Sequence, residues 1–185
     1  MISKAVRTLA FSLALLGWHA GALSAMGMVE WPRSDAAGPI TVFFPSVAAE
    51  QGVRRGEFQM QLAVDAAPVR GNGALVVISH GSTAAPWDYL DIARALVDAG
   101  FVVAMPEHYK DNEDDASEPG PASWIRRPLE VSKAIDAMAR SHCLPRCFSS
   151  TAWACMACLP VGTPRSHWRV GVGPRPGSSS IARPT

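Results

Sequence analysis

The chain has 185 residues, 48% of them hydrophobic, so it is long enough to bury one sizeable core. Its formal net charge of +1 favours neither nucleic-acid binding nor attachment to an anionic membrane. The charge is unevenly distributed. All 16 acidic residues lie in residues 1–140, whereas residues 141–185 contain no acid and hold all four cysteines. The chain therefore changes character near residue 140.

The first 25 residues have the pattern of a signal peptide. Lys4 and Arg7 form a positive n-region, an apolar h-region follows, and the small residues Ala-Leu-Ser-Ala end at Ala25. The apolar run is too short to span a bilayer, and the cleavage point carries no cysteine for a lipid anchor. We therefore expect an exported protein, periplasmic or secreted, without a stable membrane span once the signal is cleaved.

Two strands are predicted early in the mature domain, which we assign to residues 26–140. Residues 40–44 form an apolar run before a proline, and residues 58–64 alternate apolar with polar or small side chains. The proline- and glycine-containing segments that follow each strand are predicted turns.

A complete strand, helix, strand unit is predicted next. Residues 75–78 are an unbroken apolar run, as in a strand covered on both faces, and residues 79–82 form the turn after it. Apolar residues then recur at helical spacing from Tyr89 to Val97, with Asp88 as the predicted N-cap and Gly100 as the left-handed terminator. Residues 101–105 give the second strand, which we expect to pair in parallel with the first.

This unit carries a family resemblance. The sequence VVISHGS, an amphipathic helix and then GFVVAMPEH resemble the α/β-hydrolase fold, in particular its dienelactone-hydrolase-like exported branch, over residues 31–140. The resemblance implies a doubly wound, mostly parallel α/β sheet and a cofactor-free serine hydrolase acting on small-molecule esters or lactones. It also implies an oxyanion hole to which Ser82 contributes its N–H, with Gly81 letting the backbone approach the substrate.

His80 and His108 each follow a predicted strand, where ligands bind in open α/β sheets. The related family has its catalytic histidine late in the chain, so we assign both residues to hydrogen bonding in the turns. The acidic segment at residues 107–120 lacks the spacing of a calcium-binding EF-hand and is predicted to be a solvated loop.

A second helix is predicted over residues 128–139. Pro128 suits a first helical position, and one apolar face is formed by Val131, Ala134, Ile135 and Met138. In the family this helix leads to the strand that ends in the nucleophile elbow G-x-S-x-G. Residues 141–185 contain no such motif, no apolar strand pattern and no acid to orient a histidine. We therefore expect the front half of a hydrolase sheet, followed by an irregular or disordered tail and lacking catalytic residues.

A frameshift after about residue 140 accounts for both the change in composition and the missing motif. In the alternative frame that joins the last base of each codon to the first two of the next, Met156 followed by Ala157 forces a glycine. Permitted codons from Cys155 onward give Y-G-M-S-A-G-G, which contains the nucleophile elbow. The tail is thus interpreted as an out-of-frame sequence.

The alternative takes the tail as it stands, in a non-catalytic exported binding module. Cys155 and Cys158 are spaced as a Cys-x-x-Cys pair, with other Cys and His residues nearby, so that thiolate and imidazole ligands could hold zinc. An exported protein meets an oxidising compartment in which such cysteines form disulfides, which weighs against a metal. The preferred interpretation has no metal.

Overall fold

The computed structural model describes residues 25–34 and 38–141, together with the backbone of residues 148–157 and 169–172. The strands are β1 (Ala25–Trp31), β2 (Ile40–Ser46), β3 (Gln51–Arg55), β4 (Phe58–Val64), β5 (Gly73–Ser79), β6 (Val102–Pro106), β7 (Phe148–Ala157) and β8 (Arg169–Val172). The helices are a 3-10 turn (Pro86–Tyr89), α1 (Leu90–Asp98) and α2 (Pro121–Arg140). In the part described, no helix is long and apolar enough to cross a membrane.

The strands form one mixed sheet in the order β3-β4-β1-β2-β6-β5-β7-β8. β5 lies between β6 and β7 and is parallel to both, with α1 in the crossover from β5 to β6. β2 is antiparallel to β1 and β6, and the short connection between β3 and β4 also gives an antiparallel pair. β1 is also parallel to β4, so the described strands form a mixed sheet rather than the mostly parallel sheet that was expected.

Helices cover both faces of the sheet. Ala93 and Val97 of α1 pack with Phe43 in one core cluster, while Ala134 and Met138 of α2 pack in the other. Alternate residues of β2 enter opposite clusters, and every residue of β2 is buried. Coverage on both faces is the physical reason for the unbroken apolar runs in the central strands.

Most elements predicted from residues 40–140 are confirmed, and two helix starts are wrong. The helix after β5 begins with the 3-10 turn, so Asp88 does not cap α1; its carboxylate accepts the N–H of Ala85, 2.9 Å away, at the start of that turn. α2 begins at Pro121, which places Pro128 inside the helix. Gly100 has a φ of 88°, as the predicted left-handed terminator requires.

Four strands were not predicted, and one of them, β3, lies in a stretch that was predicted to be a turn. β1 begins at Ala25, where the sequence was interpreted as the end of a signal peptide, and residues 1–24 lie outside the described residues. β7 and β8 lie in the tail, for which no strand was expected. β7 is parallel to β5, with Ser79 opposite Ala157. β7 thus forms by pairing with β5, although the composition of the tail did not predict a strand there.

Candidate functional site

The turn that follows β5 leaves one backbone donor free. The N–H of Gly81 donates to the Tyr89 hydroxyl at 2.9 Å, that of Thr83 to Asp111 at 3.0 Å, and the next two N–H groups also have acceptors. From residue 81 to residue 85, only the N–H of Ser82 has no hydrogen-bond partner within the described part of the chain. Ser82 as a residue is partly exposed.

The turn contains a strained residue held by a buried carboxylate. Thr83 has a φ of 58°, a left-handed conformation that is unfavourable for a β-branched side chain. One carboxylate oxygen of Asp111 accepts both the N–H of Thr83 and the hydroxyl of Ser82, the latter at 2.6 Å. Burial raises the pKa of Asp111, but hydrogen bonds from Ser123, Ser82, Thr83 and Arg127 outweigh burial and lower the pKa to about 2. Asp111 is therefore a permanent anion under the turn.

Arg127 supports the same turn from α2. Its guanidinium donates to the carbonyl of His80 at 2.6 Å, to that of Gly81 at 3.1 Å and to Asp111 at 2.8 Å. Its Nε donates to Ser123, one helical turn earlier. This cation and the Asp111 carboxylate thus fix the peptide groups on both sides of Gly81, and the free N–H of Ser82 has a defined position.

His80 and His108 are both fully buried, with ring centroids 4.6 Å apart. Nδ1 of His80 lies 2.8 Å from the carbonyl of Gly81, and its Nε2 accepts the N–H of His108 at 3.2 Å. These partners require a neutral ring with its proton on Nδ1. Burial, together with His108 nearby, lowers the pKa of His80 to about 4. The ring of His80 thus contacts the turn, whereas His108 meets the His80 ring through its backbone N–H.

His108 also connects a serine to a glutamate. Its Nε2 lies 2.7 Å from Oγ of Ser79, and its Nδ1 lies 2.6 Å from a carboxylate oxygen of Glu130. Burial lowers the pKa of His108, against the effect of the Glu130 hydrogen bond. Burial acts to raise the pKa of Glu130, but hydrogen bonds from His108 and Tyr109 outweigh it. A neutral His108 thus accepts from the serine and donates to the carboxylate.

This serine, histidine and glutamate have the contacts of a catalytic triad but not the access of one. The side chain of His108 has no exposed surface, and Ser79 is 4% exposed. A substrate carbonyl cannot approach Ser79 without opening the core, so in the folded chain the arrangement ties β5 and β6 to α2. Ser82, in the turn that follows, is partly exposed.

The residues that build this network escaped sequence analysis. Asp111 lies in an acidic segment interpreted as solvated, and Arg127 and Glu130 lie on a helix whose apolar face alone was analysed. The predicted helix began at Pro128, so Arg127 was not considered as a helical residue. No local signal distinguishes Arg127 from Arg126 before it, because the buried carboxylate that Arg127 meets is 16 residues earlier in the chain.

The metal alternative falls mostly outside the described residues. Cys155 lies in β7, whereas Cys158 is not among the residues described. Within the described part of the chain, no group of three or more His, Cys, Asp or Glu side chains could hold a metal ion.

Comparison with known proteins gives no identification. No protein-family model matches the chain, and no curated protein matches it. The function must therefore be inferred from the geometry of the turn after β5 and from the chemistry of the residues around it.

Proposed function

We propose that this chain is built on the scaffold of an exported serine hydrolase of the dienelactone-hydrolase-like α/β type, which acts on carboxylic esters or lactones by acyl transfer. The chain itself retains the oxyanion donor and lacks the nucleophile, the base and the acid. The observation that carries the proposal is the N–H of Ser82, which has no acceptor among the described residues, whereas every other N–H from residue 81 to residue 85 has one.

The buried contacts that hold the turn around the Ser82 N–H favour an anion-binding role for this donor. A turn that served only as a connection would not need a buried arginine, a buried aspartate and a threonine at positive φ. Strained backbone persists where surrounding contacts enforce it, and it clusters at active sites. Preorganised backbone donors stabilise an oxyanion because they need no reorganisation when charge develops on the substrate oxygen.

The position of β7 supports the proposed location of the missing nucleophile. In the sheet, Ser79 lies opposite Ala157, so both parallel strands end at the same edge. In the shifted reading frame, the serine of the elbow is encoded by the codons of Cys158 and Leu159, immediately after β7. A serine there would follow a strand adjacent to the turn that bears the Ser82 N–H, which is the arrangement that acyl transfer requires.

A second candidate is a non-catalytic exported binding protein. The observation in its favour is the burial of Ser79 and His108, which leaves no accessible serine and base in contact among the described residues. The two candidates predict different results for a chain with a restored reading frame: the hydrolase gains esterase activity, whereas the binding protein gains none.

The test compares the chain as printed with a version whose tail is restored to the shifted frame. Both are treated with a serine-reactive fluorophosphonate and assayed with a small aryl ester. We expect no labelling and no turnover from the printed chain, and both from the restored chain, with the adduct mapped to the elbow serine by mass spectrometry. A restored chain with native circular dichroism that resists labelling would refute the proposal.

Two further outcomes are informative. Labelling of the printed chain at Ser79 would show that the buried serine, His108 and Glu130 open to substrate, which contradicts the assignment of these residues to support. Sequencing of the coding DNA tests the frameshift itself, because an intact reading frame in independent isolates is incompatible with it.

A further inference from the structure

A groove separate from the Ser82 turn lies beside the carboxyl end of β6. It has a volume of about 290 Å³, which is at the lower end of the range for sites that bind small molecules. It runs between the segment after β1 and the outer face of α2. The side chains relevant to its chemistry are those of Arg33, Glu107, Tyr109, Arg126, Leu129 and Lys133.

The groove carries two cations that form no ion pair among the described residues. Within the described residues, Arg33 and Lys133 form neither an ion pair nor a hydrogen bond, although both line the groove. The guanidinium carbons of Arg33 and Arg126 lie 5.2 Å and 5.7 Å from the centre of the Tyr109 ring. Like charges gathered around one aromatic ring repel each other, and a bound anion would relieve that repulsion.

Arg126 provides an independent indication of a missing partner. Its two terminal nitrogens donate to Glu118 at 3.1 Å and to the carbonyl of Tyr109 at 3.0 Å. Its Nε is buried without a hydrogen-bond partner, and it is the one such side-chain atom among the described residues. Buried donors in native proteins are almost always satisfied, so Arg126 is one acceptor short, and among the described carboxylates only Glu118 pairs with it.

Glu107 modifies the charge of the groove with pH. Burial, with the nearby carboxylates of Asp114, Glu30 and Glu113, raises the pKa of Glu107, and Arg33 only partly opposes this effect. The other carboxylate that lines the groove, Glu130, already accepts hydrogen bonds from His108 and Tyr109. A protonated Glu107 would therefore remove a repulsive charge and offer a hydrogen-bond donor to an incoming anion.

We propose that this groove binds a small organic carboxylate with an apolar body, whose carboxylate lies between Arg33 and Lys133. Three cations face two carboxylates in the lining, which suits a monoanion better than a phosphate dianion. The exposed surfaces of Tyr109 and Leu129 provide an apolar contact for the rest of the ligand. This site is independent of the proposed hydrolase ancestry, because no residue of the Ser82 turn lines the groove.

The test is calorimetric titration of the full chain with benzoate, with benzamide as the uncharged analogue and inorganic phosphate as the dianion. We expect benzoate to bind in about the millimolar range or tighter, and benzamide to bind at least about tenfold more weakly because it lacks the charge. R33Q and K133Q should each weaken benzoate binding about fivefold. The matched control is R70Q, since Arg70 is exposed, has no partner among the described residues and lies outside the groove.

The pH dependence distinguishes benzoate binding in this groove from nonspecific attraction of benzoate to positively charged side chains. Benzoate affinity should rise as the pH falls toward the raised pKa of Glu107, because the protonated side chain no longer repels the benzoate carboxylate. E107Q should lose this dependence. Equal binding of benzamide, tighter binding of phosphate, an R70Q effect equal to that of R33Q, or no heat with native-like protein would each overturn the proposal.

Discussion

The buried pair of histidines makes the stability of the fold strongly dependent on pH. His80 is neutral in the folded chain because its Nδ1–H faces the carbonyl of Gly81 and its Nε2 accepts the N–H of His108. A second proton on Nε2 would point one donor at another. Replacing His80 with glutamine keeps a hydrogen-bonding side chain of similar length and removes the titration.

The size of the effect follows from the difference between the folded and unfolded pKa. Burial and His108 lower the pKa of His80 from 6.5 to about 4. The unfolded chain therefore binds the proton first as the pH falls, and stability present above about pH 6.5 is lost on the way to about pH 4. At 1.36 kcal/mol per pKa unit, the loss is about 3 kcal/mol. The lowered pKa of His108 acts in the same direction.

The assay is urea unfolding of the full chain and of H80Q at a series of pH values. We expect the free energy of unfolding of the unmodified chain to fall by about 3 kcal/mol more than that of H80Q between about pH 6.5 and about pH 4. Ring carbon shifts in NMR spectra should show His80 unprotonated throughout the upper part of this range. The reasoning fails if H80Q keeps the full slope or if His80 titrates near its unfolded pKa.

Three further substitutions test the support of the turn and one close backbone contact. Arg127→Met leaves the Asp111 carboxylate buried without its cation and should lower the free energy of unfolding by about 3 to 5 kcal/mol in urea titrations. Thr83→Asn should raise it by about 0.5 to 1 kcal/mol, because asparagine tolerates the left-handed conformation. Gly71→Ala should lower the melting temperature, with a loss of about 1 to 3 kcal/mol, because a Cβ there would overlap the carbonyl of Gly100.

Controls for these variants come from exposed positions. Arg54→Met removes a cation whose Nε contacts only a nearby exposed carbonyl, so its effect should stay within about 0.5 kcal/mol. Gly52→Ala places a Cβ at ordinary van der Waals distance from its neighbour, so it should not be destabilising. Equal losses in each variant and its control would contradict the burial argument, and a destabilised T83N would show that the threonine is not strained.

The central part of the fold could be predicted from the sequence because its physical signals are local. The apolar run of β5, the helical spacing of α1 and the left-handed Gly100 each follow from neighbouring residues. The start of α2 could not be predicted in the same way. Its first two turns, from Pro121 to Arg127, carry no apolar face toward the sheet, and contacts of Ser123 and Arg127 with distant groups hold them.

The turn at Gly81 and Ser82 was singled out through the resemblance of its segment to α/β-hydrolases, and its oxyanion role stays a proposal. The sequence predicted a turn at this place because it follows a buried apolar run. It gave no indication that Asp111 lies beneath that turn, since the two are 29 residues apart and Asp111 sits in a run of acids. A buried ion pair depends on which groups tertiary folding brings together, and composition alone does not encode that.

Pro128 divides α2 into two parts with separate attachments. It has no N–H to donate to the carbonyl of Trp124, so the hydrogen-bond ladder is interrupted between Arg127 and the part that packs on the sheet through Ala134 and Met138. The first two turns can therefore unwind while the remainder stays docked. Such fraying would withdraw the Arg127 guanidinium from the turn after β5. The position of the Ser82 N–H therefore depends on whether the first turns of α2 are folded, and amide hydrogen exchange would detect their unfolding.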